Sequence, residues 1–202
     1  NGNFTLDDSG VELVSSNADD YMMSVVPTPD GKFMIFWMED AWPASSLKFT
    51  KIDSEGNIEI GWNPNGNSLS NPSFDSRNLT VKSVADESGV LAIWTQDGNF
   101  SDIYAQMISW DGEALWNEGG IAVSEADNDQ VNFSFEFNES KTHALVTWED
   151  YRNGTDFEIF GEVIDLESGS ANNQDIQFSN DTTNQYNPTM TLVQNNEFLV
   201  IW

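Results

Sequence analysis

The sequence predicts an all-β fold built from repeated antiparallel sheets of four strands, and three observations predict it. Apolar runs that end in tryptophan recur down the chain: FMIFW ends at Trp37, VLAIW at Trp94, ALVTW at Trp148 and FLVIW at Trp202, spaced 57, 54 and 54 residues apart. A second tryptophan keeps step, because Trp62 precedes Trp94 by 32 residues and Trp116 precedes Trp148 by 32. No segment of ten or more residues joins helical periodicity to caps, whereas Asp-Gly and Ser-Gly turns divide short apolar stretches. A fixed period of this size marks a repeat architecture. Four short antiparallel strands per unit of ~54 residues, with tryptophan at fixed places, describe β-propeller blades.

Taken in order, Gly10-Val11-Glu12-Leu13 matches Gly120-Ile121-Ala122-Val123. The chain therefore opens, over 1–20, on the end of a preceding blade, with a strand at Val11 to Val14. Blades follow at 21–70, 78–124 and 131–179, and 187–202 supplies the first two strands of another. First strands are expected at Tyr21 to Val26, Leu79 to Val84 and Val131 to Phe137. Turns at Pro29-Asp30-Gly31, Asp86-Glu87-Ser88-Gly89 and Asn138-Glu139-Ser140 lead into second strands that end at the repeated tryptophans. These runs are apolar at every position, so both faces are buried, as in a sheet sandwiched between sheets. Third strands at Leu47 to Ile52, Ile103 to Ile108 and Ile159 to Ile164 alternate more clearly, which predicts one wetter face. Fourth strands reach Leu69, Val123 and Phe178. Three whole units and parts of two others predict an incomplete excerpt of a larger ring. A four-bladed ring with one defective blade and a solenoid are the alternatives.

Composition narrows the function. The chain carries 34 Asp+Glu against seven Lys+Arg, a formal charge of −27, no cysteine and one histidine. Such acidity argues against nucleic acid and against anionic membranes, which both need a basic footprint. No apolar run approaches the ~20 residues that cross a bilayer, so membrane insertion is not expected. Absence of cysteine excludes disulfides and thiolate chemistry.

The stretch DIYAQMISWDGEALWNEGGIAVS (Asp102 to Ser124), preceded by VLAIWTQDG, resembles a repeat of large secreted proteins of the Bacteroidota. The third unit adds Trp148-Glu149-Asp150-Tyr151-Arg152-Asn153-Gly154, similar to that family's Asp-x-Arg-x-Gly loop. The resemblance implies export to the outer surface or medium, often by type IX secretion, and roles in adhesion or gliding. It implies other surface or secretion-machinery proteins, or glycans, as partners.

Catalytic constellations are scarce. Ser109-Trp110-Asp111-Gly112 has the wrong spacing for a sialidase Asp-box, and only Arg77 and Arg152 could serve an arginine clamp. His143 starts a second strand and has no evident triad partners. The better candidates lie in the loops between second and third strands and between blades, which share one face of a propeller. They carry Asp40, Asp97, Asp102, Asp127, Asp129, Asp150, Asp156 and Asp181. Hard oxygen ligands suit calcium, and Asp97 with Asp102, and Asp150 with Asp156, each place two acids around a short turn. Trp42, Phe100, Tyr151 and Arg152 are the candidate ligand-binding residues. The sequence thus predicts a non-catalytic, extracellular or surface scaffold, with Ca²⁺ as the one candidate cofactor. Its alternative is the propeller part of a secreted carbohydrate-active enzyme. A site with facing carboxylates and a shifted pKa would mark the enzyme.

Overall fold

The computed structural model describes residues 12–14, 16–84, 88–171 and 174–202. Fifteen strands form antiparallel meanders in chain order. The first sheet is β1 (Asp19–Pro27), β2 (Phe33–Asp40), β3 (Ser46–Ile52) and β4 (Asn67–Ser68). The second is β5 (Asp75–Ser83), β6 (Val90–Asp97), β7 (Ser101–Ile108) and β8 (Ile121–Ser124). In the third, β9 (Gln130–Phe137), β10 (His143–Asp150) and β11 (Glu158–Asp165) are followed by two short pieces, β12 (Ser170–Ala171) and β13 (Ile176–Gln177), which both pair with β11. The last sheet pairs β14 (Thr189–Leu192) with β15 (Phe198–Ile201).

Consecutive sheets lie face to face. β1 and β3 rest against β5, β7 against β9, β8 against β11, and β9 against β14. This stacking explains the unbroken apolar runs of the second strands. Val90, Ala92 and Trp94 of β6 join a core with Phe36, Leu47 and Phe49 of the first sheet. The alternate residues Leu91 and Ile93 join a second core with Phe135, Val146 and Trp148 of the third. Side chains of a strand point alternately to its two faces, so a strand sandwiched between sheets must be apolar at every position.

The same physics corrects the expectation for the third strands. The third strands lack the predicted wetter face, and β7 is buried throughout Ala105 to Ile108. Ile103, Ala105 and Met107 enter one core while Ile108 enters the other. No strand forms over 12–14, and Val11 lies outside the described residues, as do Asp86 and Glu87 of the second turn. Trp37, Trp94 and Trp148 are buried to 2% exposure or less, but Trp202 is 50% exposed, in keeping with a last sheet of only two strands.

Two recurring tryptophan–glycine contacts lock the stack. Within the second sheet, Trp94 fills the space where Gly120 has no side chain, and a Cβ there would stand 2.6 Å from the indole. Between sheets, Trp62 of the first reaches Gly112 in the β7–β8 turn of the second, and Trp116 of the second reaches Gly169 of the third. A Cβ at either turn glycine would lie 2.5 Å from the ring, and both residues have positive φ. The turn therefore needs glycine for its backbone and again for its neighbour. Trp62 also packs edge-on against Phe49, with centroids 6.0 Å apart.

Candidate functional site

One edge of the stack carries the loops that follow β2, β6 and β10. The chain joins consecutive sheets there with a repeated clasp. Ser45 N–H donates to Asp75 Oδ1 at 2.7 Å, Ser101 N–H to Asp129 Oδ1 at 3.0 Å, and Phe157 N–H to Asn184 Oδ1 at 2.8 Å. Each donor stands at the start of a third strand, and each acceptor stands where the next sheet begins. A second element of the repeat anchors the fourth strand: Ser70 Oγ accepts from Leu47 N–H and Ser179 Oγ from Ile159 N–H. These pairs align the three units residue by residue. Ser46, Asp102 and Glu158 are equivalent, as are Asn71, Glu125 and Asn180.

At the position of Asn71 the second unit departs from the other two. Only there does an aspartate, Asp102, stand beside an acidic counterpart of Asn71, namely Glu125. Register puts Asp102 opposite Gln96, and Tyr104 opposite Trp94, so all four share one sheet face. Tyr104 stacks on Trp94 with centroids 6.2 Å apart, and its hydroxyl donates a short hydrogen bond to Glu125 Oε1. Gln96 is 5% exposed, and its Oε1 has no partner among the described residues. Asp97 ends β6; it takes the Ser101 hydroxyl at 2.6 Å and pairs with Arg77.

Asp102 is the odd member of this group. Burial, and then the negative charges of Glu125, Asp129 and Asp97, push its carboxyl up from 3.8 to about 6. Nothing among the described residues donates a hydrogen bond that would offset this. Burial and the adjoining Glu125 also raise the Tyr104 phenol, which keeps it a donor. Glu125 itself is exposed and lines a groove of ≈ 270 Å³ between the second and third sheets, with Ser124, Ala126 and Asp175. The arrangement places a partly buried carboxyl, raised to about 6, near the exposed side chain of Glu125.

The remaining candidates sort differently. Asp97 and Asp102 meet at one strand end, but Asp150 and Asp156 do not join them. Asp150 is 1% exposed, accepting Trp148 Nε1–H at 2.7 Å and the Arg152 guanidinium at 2.8 and 2.6 Å. Asp156 accepts the Thr155 hydroxyl at 3.2 Å. Among the described residues, no group of three or more His, Cys, Asp or Glu is placed to hold a metal ion. Arg152 is engaged within the protein: it also holds Asp175 at 2.5 Å and lies 4.0 Å over the Phe160 ring. Tyr151 stacks on Phe157 at 4.9 Å and Phe157 on Tyr186 at 5.9 Å, so it caps a sheet end. Phe100 is 43% exposed and Trp42 is 96% exposed. Sequence reasoning missed Glu125 and Tyr104. The signal available was the acid at 125, where both other units have asparagine.

No family model matches the chain, and no curated protein matches it. Solved structures similar to it include an endo-arabinase from Bacteroides thetaiotaomicron VPI-5482, at TM-score 0.48 and 10% identity, over 87% of this chain and 67% of that one. An alpha-L-arabinofuranosidase from Lactobacillus brevis aligns with TM-score 0.48 and 10% identity, over 87% of this chain and 62% of that one. The chain thus spans about two thirds of the length of these structures. Both of these structures are of enzymes, which runs against the expectation of a non-catalytic scaffold.

Proposed function

We propose that the chain is the β-propeller part of a secreted carbohydrate-active enzyme, its face-to-face sheets being blades. The observation that carries this reading is the Asp102 carboxyl at about 6, set among Asp97, Glu125 and Asp129, with Glu125 held by the Tyr104 hydroxyl. Glycosidic bonds are cleaved by two carboxyl groups, one protonated and one not. Asp102 is the proton donor to the leaving oxygen, because burial and three like charges favour its neutral form. Glu125, oriented by the Tyr104 hydroxyl and open to the groove, is the carboxylate partner. The formal charge of −27 suits a neutral polysaccharide better than a polyanion. The resemblance to exported repeat proteins supports an extracellular or outer-surface location, and glycans as partners.

The test is hydrolysis of soluble polysaccharides and aryl glycosides by the wild type, Asp102→Asn and Glu125→Gln. Each variant is expected to lose roughly 100-fold or more in rate, with an unchanged circular dichroism spectrum. Wild-type rate should fall as pH rises above about 6, where Asp102 gives up its proton. Undiminished hydrolysis by both variants, or none by the wild type on any substrate, would overturn the proposal.

A further inference from the structure

The most exposed large side chains of the molecule include Trp42, whose indole is 96% exposed in the β2–β3 loop. Large aromatics bury far more area than this as a rule, and a fully solvated indole costs free energy that burial would recover. The repeat supplies internal comparisons. Tyr151, in the equivalent loop of the third sheet, is packed on Phe157, and Phe100 in the second is 43% exposed. Trp42 alone among the three presents nearly its whole ring to solvent.

Its surroundings are polar and concave. A groove of ≈ 400 Å³ is lined by Trp42 with Ser16, Asn17, Glu39 and Asp40. Asp40 is held by the Ser45 hydroxyl at 2.7 Å and Glu39 by Lys48 at 2.7 Å, so the acids have fixed positions. Ser16 is tied to Asp20 at 2.8 Å. One flat apolar face beside fixed hydrogen-bonding groups matches the two-sided chemistry of a sugar ring. Its C–H face stacks on an indole while its hydroxyl edge meets carboxylates, amides and hydroxyls. The acidic lining opposes a polyanion.

We propose that Trp42 and the Glu39–Asp40 groove form a binding subsite for a neutral polysaccharide, separate from the Asp102 centre. It rests on the carbohydrate-active reading in the choice of ligand, but it makes binding and cleavage independent properties. The loop that carries Trp42 belongs to the same edge of the stack as the β6–β7 loop beside Asp102. A long chain gripped at the first sheet is therefore presented along the edge that holds the second.

Affinity electrophoresis through gels containing arabinan, xylan, mixed-linkage β-glucan or polygalacturonate tests this, with hydrolysis of the same polymers measured separately. The wild type should be retarded by at least one neutral polymer and not by polygalacturonate. Trp42→Ala should weaken that retardation at least about tenfold in apparent Kd, a loss typical of deleting one central aromatic anchor. Trp42→Phe should restore part of it. Because the side chain is exposed, the melting temperature of Trp42→Ala should match the wild type, which separates lost binding from lost folding. Retardation unchanged in Trp42→Ala, preferential binding of polygalacturonate, or no retardation by any polymer would each overturn the subsite. Hydrolysis without retardation would sink only the subsite. Retardation without hydrolysis would sink only the enzymatic reading.

Discussion

Replacing Asp102 by asparagine should make the protein more stable at neutral pH while abolishing turnover. The carboxyl is raised from 3.8 to about 6, chiefly by burial and secondarily by Glu125, Asp129 and Asp97. A carboxyl whose folded pKa lies above its unfolded value stabilises the fold fully below the unfolded value. That contribution is lost as pH rises through the folded value, so at pH 7 the ionised group is a net strain. Two pKa units correspond to about 3 kcal/mol before solvent screening. Asp102 is only partly buried, and screening reduces the usable figure to about 1 kcal/mol. For a chain of this size that is a rise of roughly 2–4 °C in Tm. Thermal melts of wild type and Asp102→Asn at pH 7 and pH 4 read it directly. The gain should appear at pH 7 and vanish near pH 4, where both proteins are neutral at this position. An equal gain at both pH values, or a lower Tm for the variant at pH 7, would refute the electrostatic reasoning and with it the assignment of Asp102 as a strained acid.

Other outcomes follow from the packing. Trp94→Ala, at a site with 0% exposure between two sheets, should cost ~3–5 kcal/mol in urea unfolding. Gly112→Ala should cost about 2–3 kcal/mol, because φ is +85° and the new methyl would meet Trp62 at 2.5 Å. Trp62→Ala made on top of it should recover part of the clash but not the backbone strain, which a double-mutant cycle resolves. Arg152→Ala should cost about 3 kcal/mol, since it leaves the carboxylate of Asp150 buried beside Trp148 without its counter-ion. A loss under about 1 kcal/mol in chemical denaturation would show that the Arg152 staple is dispensable.

Much of the fold was legible in the sequence because burial on two faces leaves an uninterrupted apolar run. That run in β6 and β10, closed by Trp94 and Trp148, needs no knowledge of the neighbours to be recognised as a sandwiched strand. The glycine at 112 likewise announces its turn. Its second duty, leaving room for Trp62 of the preceding sheet, depends on a contact 50 residues away in sequence. The third strands misled for the same reason: Lys51, Gln106 and Glu162 look like a wetted face but are 5% exposed or less. Polar residues can be buried when a neighbouring sheet supplies partners; Lys51 Nζ donates to the Trp110 carbonyl at 3.1 Å.

The site divides along similar lines. Sequence alone determined that the loops are acidic, that Asp97 and Asp102 flank one short turn, and that arginine, histidine and cysteine chemistry is nearly closed to this chain. It could not separate Asp102 from Asp150, since both end or begin a strand among other acids. Tertiary structure decided between them through their partners. Asp150 met Arg152 and the Trp148 indole, which satisfy its charge, whereas Asp102 met Glu125, Asp129 and Asp97, which oppose it. A carboxylate's chemistry is set by the sign of the charges folded against it within a few ångströms. Asp150 finds its counter-ion two residues along its own chain, whereas Asp102 meets Glu125 and Asp129 only because the fold brings distant residues to it.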